Sequence, residues 1–284
     1  MAELLKGAPV AAAINDKTRS IVAALGKIDV VPTLAILRVG QRVDDLSYER
    51  GAMKRCEELG VAVRQVILTE NASEEEVLSA IDQLNKDTSV HGVLIFRPMP
   101  KHIRDEAVRS ALAPEKDVDG ITDGSLAGVF TGSGRGFAPC TAQAVVEILE
   151  HYGVELSGKS AVVVGRSLVV GRPAAMLLMA KNATVTICHT RTKDLPAVTR
   201  RAEIIVAAAG QMRALGGEHF AEGQTVVDVG IHWNEKIGKL CGDVRFEEAE
   251  SLVAAITPVP GGVGAVTTAL LIRHVAEAAA KQMA

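Results

Sequence analysis

The sequence predicts an α/β protein of two domains. Short apolar segments alternate with segments of helical periodicity, which is typical of βαβ units with mainly parallel sheets. Residues 160–173 read SAVVVGRSLVVGRP: a short apolar run ends at a glycine, and good helix formers follow. This strand, turn and helix is typical of the opening of a Rossmann-type unit. The polar, glycine-rich residues 124–136 predict a mobile loop or linker before it.

The composition excludes several classes of partner. The chain has 284 residues, enough for two ordinary domains, with 48% hydrophobic residues, 23% charged residues and a net charge of −3. Because there is no long basic run and only 3% of residues are aromatic, nothing supports nucleic-acid or membrane binding. The four cysteines are scattered without a C-x-x-C pair and the N-terminus lacks a signal-peptide pattern. We therefore expect a cytoplasmic protein without a metal site.

The first half of the chain predicts alternating helices and strands. Gly60 is a natural residue to follow a helix end, and Ser73 with Glu76 forms a capping-box pattern. Helices are predicted over residues 4–25, 47–59 and 74–85, and strands over residues 32–39, 61–68 and 90–95.

The second half predicts a further parallel sheet and a terminal helix. Helices are predicted over residues 141–152, 174–180 and 267–280, and strands over residues 161–164, 183–188, 204–209 and 225–229. In such sheets ligands bind at the carboxyl ends of the strands. We therefore expect the segments after Val39 and Ile95, together with residues 117–120, to line one cleft.

The turn after residues 161–164 is a candidate phosphate site. A pyrophosphate must approach backbone N–H groups at a helix N-terminus, and a Cβ atom in the turn would block it. The spacing is Gly165-x5-Gly171 and meets the G-x-G-x-x-G fingerprint only in part. An ordinary strand-to-helix turn is the alternative interpretation.

The residues after the next strand favour NADP over NAD. An NAD site should carry Asp or Glu there, about 20 residues after the turn, to bind the ribose hydroxyls. The chain has His189, Thr190 and Arg191 instead, and the first acid is Asp194. Arg166 and Arg191 can flank a 2′-phosphate. The alternative for Arg191 is a solvated loop charge.

Six motifs occur in order along the chain: KDVDG (116–120), PCT (139–141), VVVGRS (162–167), DVGI (228–231), GDV (242–244) and TPVPGGVG (257–264). Together, and in this order, they resemble the methylenetetrahydrofolate dehydrogenase/cyclohydrolase family. The resemblance covers nearly the whole chain and implies a two-domain α/β fold with folate bound in the cleft, NADP or NAD on the second domain, and a homodimer through the cofactor domains. It implies a folate domain at residues 1–137, a cofactor domain at 138–262 and a terminal helix, 263–284, that returns to the first domain.

The resemblance also implies roles for individual residues. Tyr48 matches a tyrosine that stacks near the folate, and Asp119 matches an aspartate that hydrogen-bonds the pterin; both are the candidate catalytic residues. A carboxylate suits the N–H donors of the pterin edge, although Asp119 also fits a turn aspartate before Gly120 and Tyr48 a half-buried core tyrosine. Pro260, Gly261 and Gly262 match a loop that lets the backbone approach the folate and the nicotinamide. Gly165, Arg166 and Ser167 match the phosphate turn, and Ile231 matches a nicotinamide contact. Phe96 is a further candidate for the substrate, and Thr190 and Arg191 are further candidates for the cofactor.

Two positions depart from the family pattern. The family carries lysine four residues after the tyrosine, for the cyclohydrolase step, and this chain has Ala52; a glutamine normally follows the third strand, where this chain has Phe96. Lys54 lies on another face of the helix than Tyr48 and cannot replace the lysine. The simplest interpretation is a dehydrogenase that has lost most or all cyclohydrolase activity. The alternatives are the ordinary bifunctional enzyme, with a residue such as Arg97 taking over, and a non-catalytic NADP- or folate-binding regulator.

Overall fold

The computed structural model describes residues 1–235 and 238–283 and confirms the two-domain α/β fold. The strands are β1 (Glu3–Leu4), β2 (Thr33–Val39), β3 (Ala62–Leu68), β4 (Gly92–Ile95), β5 (Ser160–Val164), β6 (Thr184–Cys188), β7 (Ile204–Ala207), β8 (Thr225–Asp228), β9 (His232–Asn234), β10 (Lys239–Cys241) and β11 (Ala255–Ile256). The helices are α1 (Gly7–Gly26), α2 (Val43–Glu58), α3 (Glu74–Lys86), α4 (Asp105–Ala111), α5 (Asp123–Thr131), α6 (Cys140–His151), α7 (Gly171–Ala180), α8 (Leu195–Thr199), α9 (Phe246–Glu250) and α10 (Val263–Gln282).

The chain divides into two compact units. The six-stranded unit comprises Met1–Ala12 and Thr141–Thr267, and the three-stranded unit comprises Ala13–Cys140 and the chain from Thr268 onward. The predicted first domain, residues 1–137, therefore differs from the structure at its start, because β1 pairs in parallel with β11 of the six-stranded unit. The unit also changes within α10, after Thr267, and not at residue 263.

The six-stranded unit is built on one parallel sheet with the order β1-β11-β8-β7-β5-β6. The core strands β5 and β7 are apolar along their length because both faces of the sheet are covered. The helix predicted from residue 4 begins only at Gly7, since Glu3 and Leu4 are in β1. The short strands β9 and β10 form a separate antiparallel hairpin.

The three-stranded unit has the parallel order β3-β2-β4. The predicted capping box at the start of α3 is confirmed: the Glu76 N–H donates to Ser73 Oγ at 3.2 Å, and the Ser73 N–H donates to the Glu76 carboxylate at 2.7 Å. Gly60 follows α2 with a positive φ of 72°, as predicted for a residue beyond a helix end.

The prediction of a linker over residues 124–136 is wrong for its first part, where the chain forms α5. The Thr122 hydroxyl caps this helix by accepting the Ser125 N–H at 3.1 Å. The glycine in the middle of the helix is required by packing, since a Cβ at Gly128 would lie 2.0 Å from the carbonyl oxygen of Arg135. Glycine content here therefore reflects close packing as well as chain flexibility.

The terminal helix α10 is long and apolar enough to be a candidate membrane span by length and composition. About two thirds of its most apolar window is buried inside the protein, which is the pattern of a core helix. Its apolar character is therefore explained by internal packing.

Candidate functional site

A cavity of about 610 Å³ lies in the six-stranded unit at the carboxyl ends of four neighbouring strands, β6, β5, β7 and β8. The strands β6 and β7 flank β5 on opposite sides, so the strand order reverses at β5. Open parallel sheets bind ligands at such a point, and the volume is that of a small-molecule or cofactor site. Five residues predicted for the cofactor line this cavity: Gly165, Arg166, Ser167, Thr190 and Ile231.

The turn after β5 can only be built with glycine. Gly165 has a φ of 136°, and a Cβ there would lie 2.0 Å from the carbonyl oxygen of Ala208. A Cβ at Gly171 would lie 2.2 Å from the carbonyl oxygen of Gly165. The helix α7 begins at Gly171, and Ser167 Oγ accepts the Val170 N–H at 3.1 Å. This glycine cradle before a helix N-terminus fits the pyrophosphate of a dinucleotide.

The two arginines predicted near a 2′-phosphate differ in their position relative to the cavity. Arg166 lines the cavity, with an exposed side chain. Arg191 is exposed and is not among the lining residues; its backbone N–H donates to Nδ1 of His189 at 3.1 Å. His189 itself lines the cavity after β6. The Arg191 side chain is therefore exposed and outside the cavity lining.

The chain segments of two aspartates, Asp228 and Asp243, are joined by hydrogen bonds, and each aspartate packs against a glycine of the other segment. Asp228 accepts the backbone N–H groups of Gly230, Asp243 and Val244, each at 3.0 Å. A Cβ at Gly242 would lie 1.9 Å from the Asp228 carboxylate, so glycine is required there. Burial raises the pKa of Asp228 to about 6 although these three hydrogen bonds lower it. The motifs DVGI and GDV thus form one structural unit, which the sequence alone did not indicate.

The predicted residues Pro260, Gly261 and Gly262 belong to the loop before α10 in the six-stranded unit. Gly261 has a φ of 102°, and its carbonyl accepts the Gly7 N–H at 2.8 Å. A Cβ at Gly262 would lie 2.5 Å from the carbonyl oxygen of Pro258. Pro260 is exposed and lines a second cavity of about 460 Å³, which is distinct from the cavity lined by the glycine turn.

In the three-stranded unit, the charged residues of the motif KDVDG make different hydrogen bonds. Lys116 is buried and donates to the carbonyls of Leu84 and Asp87 at 2.7 and 2.6 Å. The fully buried Asp117 accepts the N–H groups of Ile121 and Thr122 at 3.0 and 2.7 Å. Asp117 therefore holds the turn, whereas the Asp119 carboxyl interacts with the Cys140 thiol.

The environment of Asp119 raises the pKa of its carboxyl toward neutrality. Burial, and then the charge of Asp117, raise the pKa of Asp119 to about 7, while a hydrogen bond with the Cys140 thiol and the charge of Arg97 oppose the shift. Burial and the Asp119 charge raise the pKa of Tyr48 above its ordinary value. The structure thus brings Tyr48 and Asp119 within electrostatic reach of each other, as a substrate site requires.

The two positions that depart from the family pattern lie beside Tyr48. Ala52 is one turn further along α2 and has no exposed surface. The ring of Phe96 meets the ring of Tyr48 edge to face, with centroids 5.8 Å apart, and Tyr48 stays 38% exposed. Lys54 is exposed, as expected for a solvated lysine. The two positions beside Tyr48 that carry Lys and Gln in the family are therefore apolar in this chain.

Two ion pairs around this region were missed from the sequence. Arg38 in β2 donates to Glu49 at 2.9 Å with both side chains buried, and Gln65 donates to the other Glu49 oxygen at 2.6 Å. Since Glu49 follows Tyr48 in α2, this pair fixes the helix on the sheet. Arg97 is bound in bidentate fashion by Asp105, at 2.6 and 2.5 Å. A permanently charged guanidinium is a poor proton-transfer group.

Comparison with known proteins decides the family. Residues 5–119 match the model of the tetrahydrofolate dehydrogenase/cyclohydrolase catalytic domain, and residues 139–283 match that of the NAD(P)-binding domain. The chain belongs to the tetrahydrofolate dehydrogenase/cyclohydrolase family. Among residues 1–235 and 238–283, no group of three or more His, Cys, Asp or Glu side chains could hold a metal ion.

Relatives in this family match the chain from end to end. The "Bifunctional protein FolD" of Carboxydothermus hydrogenoformans is 49% identical over 98% of this chain and 97% of its own length. The bifunctional FolD structure from Campylobacter jejuni has a TM-score of 0.96 at 38% identity, covering 99% of this chain and all of the other. A Trypanosoma brucei FolD structure, complexed with NADP cofactor and inhibitor, has a TM-score of 0.92 at 34% identity over 99% and 98% of the two chains.

Proposed function

We propose that this chain oxidises 5,10-methylenetetrahydrofolate to 5,10-methenyltetrahydrofolate by hydride transfer to NADP. The observation that carries the proposal is the cavity at the carboxyl ends of four parallel strands. One part of its wall is a turn that only glycine can form. Membership of the tetrahydrofolate dehydrogenase/cyclohydrolase family supplies the reaction class. The Trypanosoma brucei relative was solved with NADP, which supports NADP as the cofactor.

Each unit carries its own set of proposed binding residues. The cradle of Gly165 and Ser167 would hold the pyrophosphate, and Arg166 and Arg191 the 2′-phosphate. NADP, when bound, supplies the hydride acceptor. Asp119 would accept the N–H groups of the pterin edge, and Tyr48 would pack near the folate ring. Because no proton moves at the reacting carbon, positioning is sufficient for this half-reaction.

For the second half-reaction, hydrolysis of methenyltetrahydrofolate, there are two candidates. The curated relatives aligned over 98% of this chain are named bifunctional, which favours a chain that also makes 10-formyltetrahydrofolate. The apolar pair Ala52 and Phe96 beside Tyr48 favours a dehydrogenase with lost or weak hydrolysis, because neither side chain can transfer a proton. The comparisons thus support the bifunctional candidate, and only these two positions support the loss.

One pair of assays on the purified protein tests both statements. Formation of NADPH from methylenetetrahydrofolate is expected, and its absence would leave a non-catalytic NADP- or folate-binding protein. Decay of methenyltetrahydrofolate absorbance without NADP decides the second question. Decay no faster than in buffer identifies a dehydrogenase alone, and enzyme-dependent decay identifies the bifunctional enzyme.

A variant pair connects the second assay to the structure. If wild-type hydrolysis is absent, Ala52→Lys with Phe96→Gln should restore more than either change alone, because both positions lie beside Tyr48 and the new side chains would act as a unit. Lys54→Ala is the matched control on the exposed face of the same helix and should change nothing.

We also propose that the protein acts in the cytoplasm as a homodimer through its cofactor domains. All four cysteines are free and buried, which suits a reducing compartment. Light scattering during size-exclusion chromatography would give twice the 29.9 kDa chain mass for the dimer.

A further inference from the structure

A histidine forms part of the cavity wall at the end of β8. His232 directly follows Ile231, begins β9, and lines the same cavity as the glycine turn. Its Nε2 lies 2.7 Å from Oδ1 of Asp243, and its side chain is 25% exposed while that of Asp243 is not exposed at all. A buried carboxylate thus holds an imidazole that faces the cavity.

One further hydrogen bond holds the carboxylate of Asp243, and another holds its backbone. Its second oxygen, Oδ2, accepts the Gly210 N–H at 2.9 Å, and the Asp243 backbone N–H donates to Asp228 at 3.0 Å. A Cβ at Gly230 would lie 2.4 Å from Oδ1, so the close approach requires glycine there. Because Asp243 accepts at Nε2, that nitrogen carries the proton of the neutral ring, and Nδ1 is the nitrogen able to accept a hydrogen bond from a ligand.

The order of the strands shows which part of a dinucleotide His232 would meet. The residues proposed for the 2′-phosphate follow β6, and the glycine turn follows β5. His232 follows β8, three strand positions from β6, which at about 4.8 Å per strand is roughly 14 Å. With the adenosine end at β6 and the pyrophosphate at β5, the nicotinamide half must lie toward β7 and β8.

We propose that His232, held by Asp243, binds the nicotinamide half of the cofactor by accepting a hydrogen bond through Nδ1. The donor would be a group of that half, the carboxamide N–H or a ribose hydroxyl. The inference rests on the proposed function, since it requires a dinucleotide in this cavity. It assigns His232 to recognition of one half of the ligand and leaves the other half to residues after β5 and β6.

Calorimetric titration with two ligands tests the assignment without measuring turnover. NADP⁺ carries both halves, whereas adenosine 2′,5′-bisphosphate carries only the adenosine half with its 2′-phosphate. His232→Ala should weaken NADP⁺ about three- to tenfold, as expected for one hydrogen bond, and leave the affinity for the bisphosphate unchanged. His232→Gln, which keeps an acceptor oxygen, should recover part of the loss.

The matched control is the histidine at the other end of the cavity. His189→Ala should weaken both ligands, since His189 supports the Arg191 backbone after β6. Equal weakening of both ligands by His232→Ala, or no weakening of either, overturns the inference about His232. A wild-type protein that binds neither ligand overturns the proposed function itself, so the two failures are distinguishable.

Discussion

Replacing Asp119 with Asn should make the protein more stable and less active. Burial raises the pKa of Asp119 from 3.8 to about 7. Between these two values the folded state holds a proton that the unfolded chain releases, so this carboxyl makes the free energy of unfolding fall as pH rises from 3.8 to about 7. At 1.36 kcal/mol per pKa unit, the loss reaches about 4 kcal/mol above neutral pH as an upper bound. Asp119→Asn removes the ionisation and with it this pH dependence.

The assay is urea unfolding of the wild type and of Asp119→Asn at pH 5 and pH 8, with folate and NADP⁺ binding measured on the same samples. The gain in unfolding free energy should be about 3 kcal/mol larger at pH 8 than at pH 5, because most of the window lies between these values. Folate use should weaken while NADP⁺ binding stays intact, since Asp119 lies in the three-stranded unit.

A neighbour in the same motif provides the control for this prediction. Asp117→Asn should destabilise at both pH values by about 1–3 kcal/mol, because the new amide cannot accept both the Ile121 and Thr122 N–H groups. If Asp119→Asn gave the same gain at both pH values, or lost NADP⁺ binding as severely as folate use, our assignment of Asp119 would be refuted.

Three further substitutions test other parts of the structure. Glu49→Ala should lower the free energy of unfolding by about 3–5 kcal/mol, because it leaves the Arg38 charge buried without its carboxylate. The double variant Arg38→Met with Glu49→Leu should lose much less stability, and equal losses in thermal unfolding would contradict this. Arg191→Ala should raise the KM for NADP more than the KM for NAD. The increase for NADP should be up to about tenfold, because the side chain is exposed. Equal effects on both KM values in steady-state kinetics would remove Arg191 from the site. Gly242→Ala should lower the melting temperature and abolish NADP⁺ binding, because the new Cβ would overlap the Asp228 carboxylate; unchanged melting and binding would refute that packing.

Local sequence signals predicted most of the regular elements. The capping box at Ser73 and the helix end before Gly60 depend on residues within one turn, and both are confirmed. The buried strand β5 and the following glycine turn could also be predicted, because an apolar run and a glycine affect the conformation of the residues beside them. The family resemblance added the order of six motifs, which comparison with known proteins confirms at the level of the family.

The errors came from positions whose partners are distant in the chain. Leu4 reads as the start of a helix, but it pairs with Ile256, some 250 residues away. The glycines of residues 124–131 read as a linker, but Gly128 packs against the Arg135 carbonyl. A propensity averaged over a short window cannot contain either contact, so tertiary structure overrides it.

The sequence by itself determined the α/β class, the alternation of elements, the glycine turn after β5 and the absence of proton-transfer groups at Ala52 and Phe96. Tertiary structure alone decided which aspartate of KDVDG holds the turn and which keeps a raised pKa, since both are the same residue type two positions apart. It alone also joined His232 to Asp243 in the cavity wall. The physical reason is that hydrogen bonding and burial depend on groups brought close by folding, whereas backbone conformation depends largely on neighbours in the chain.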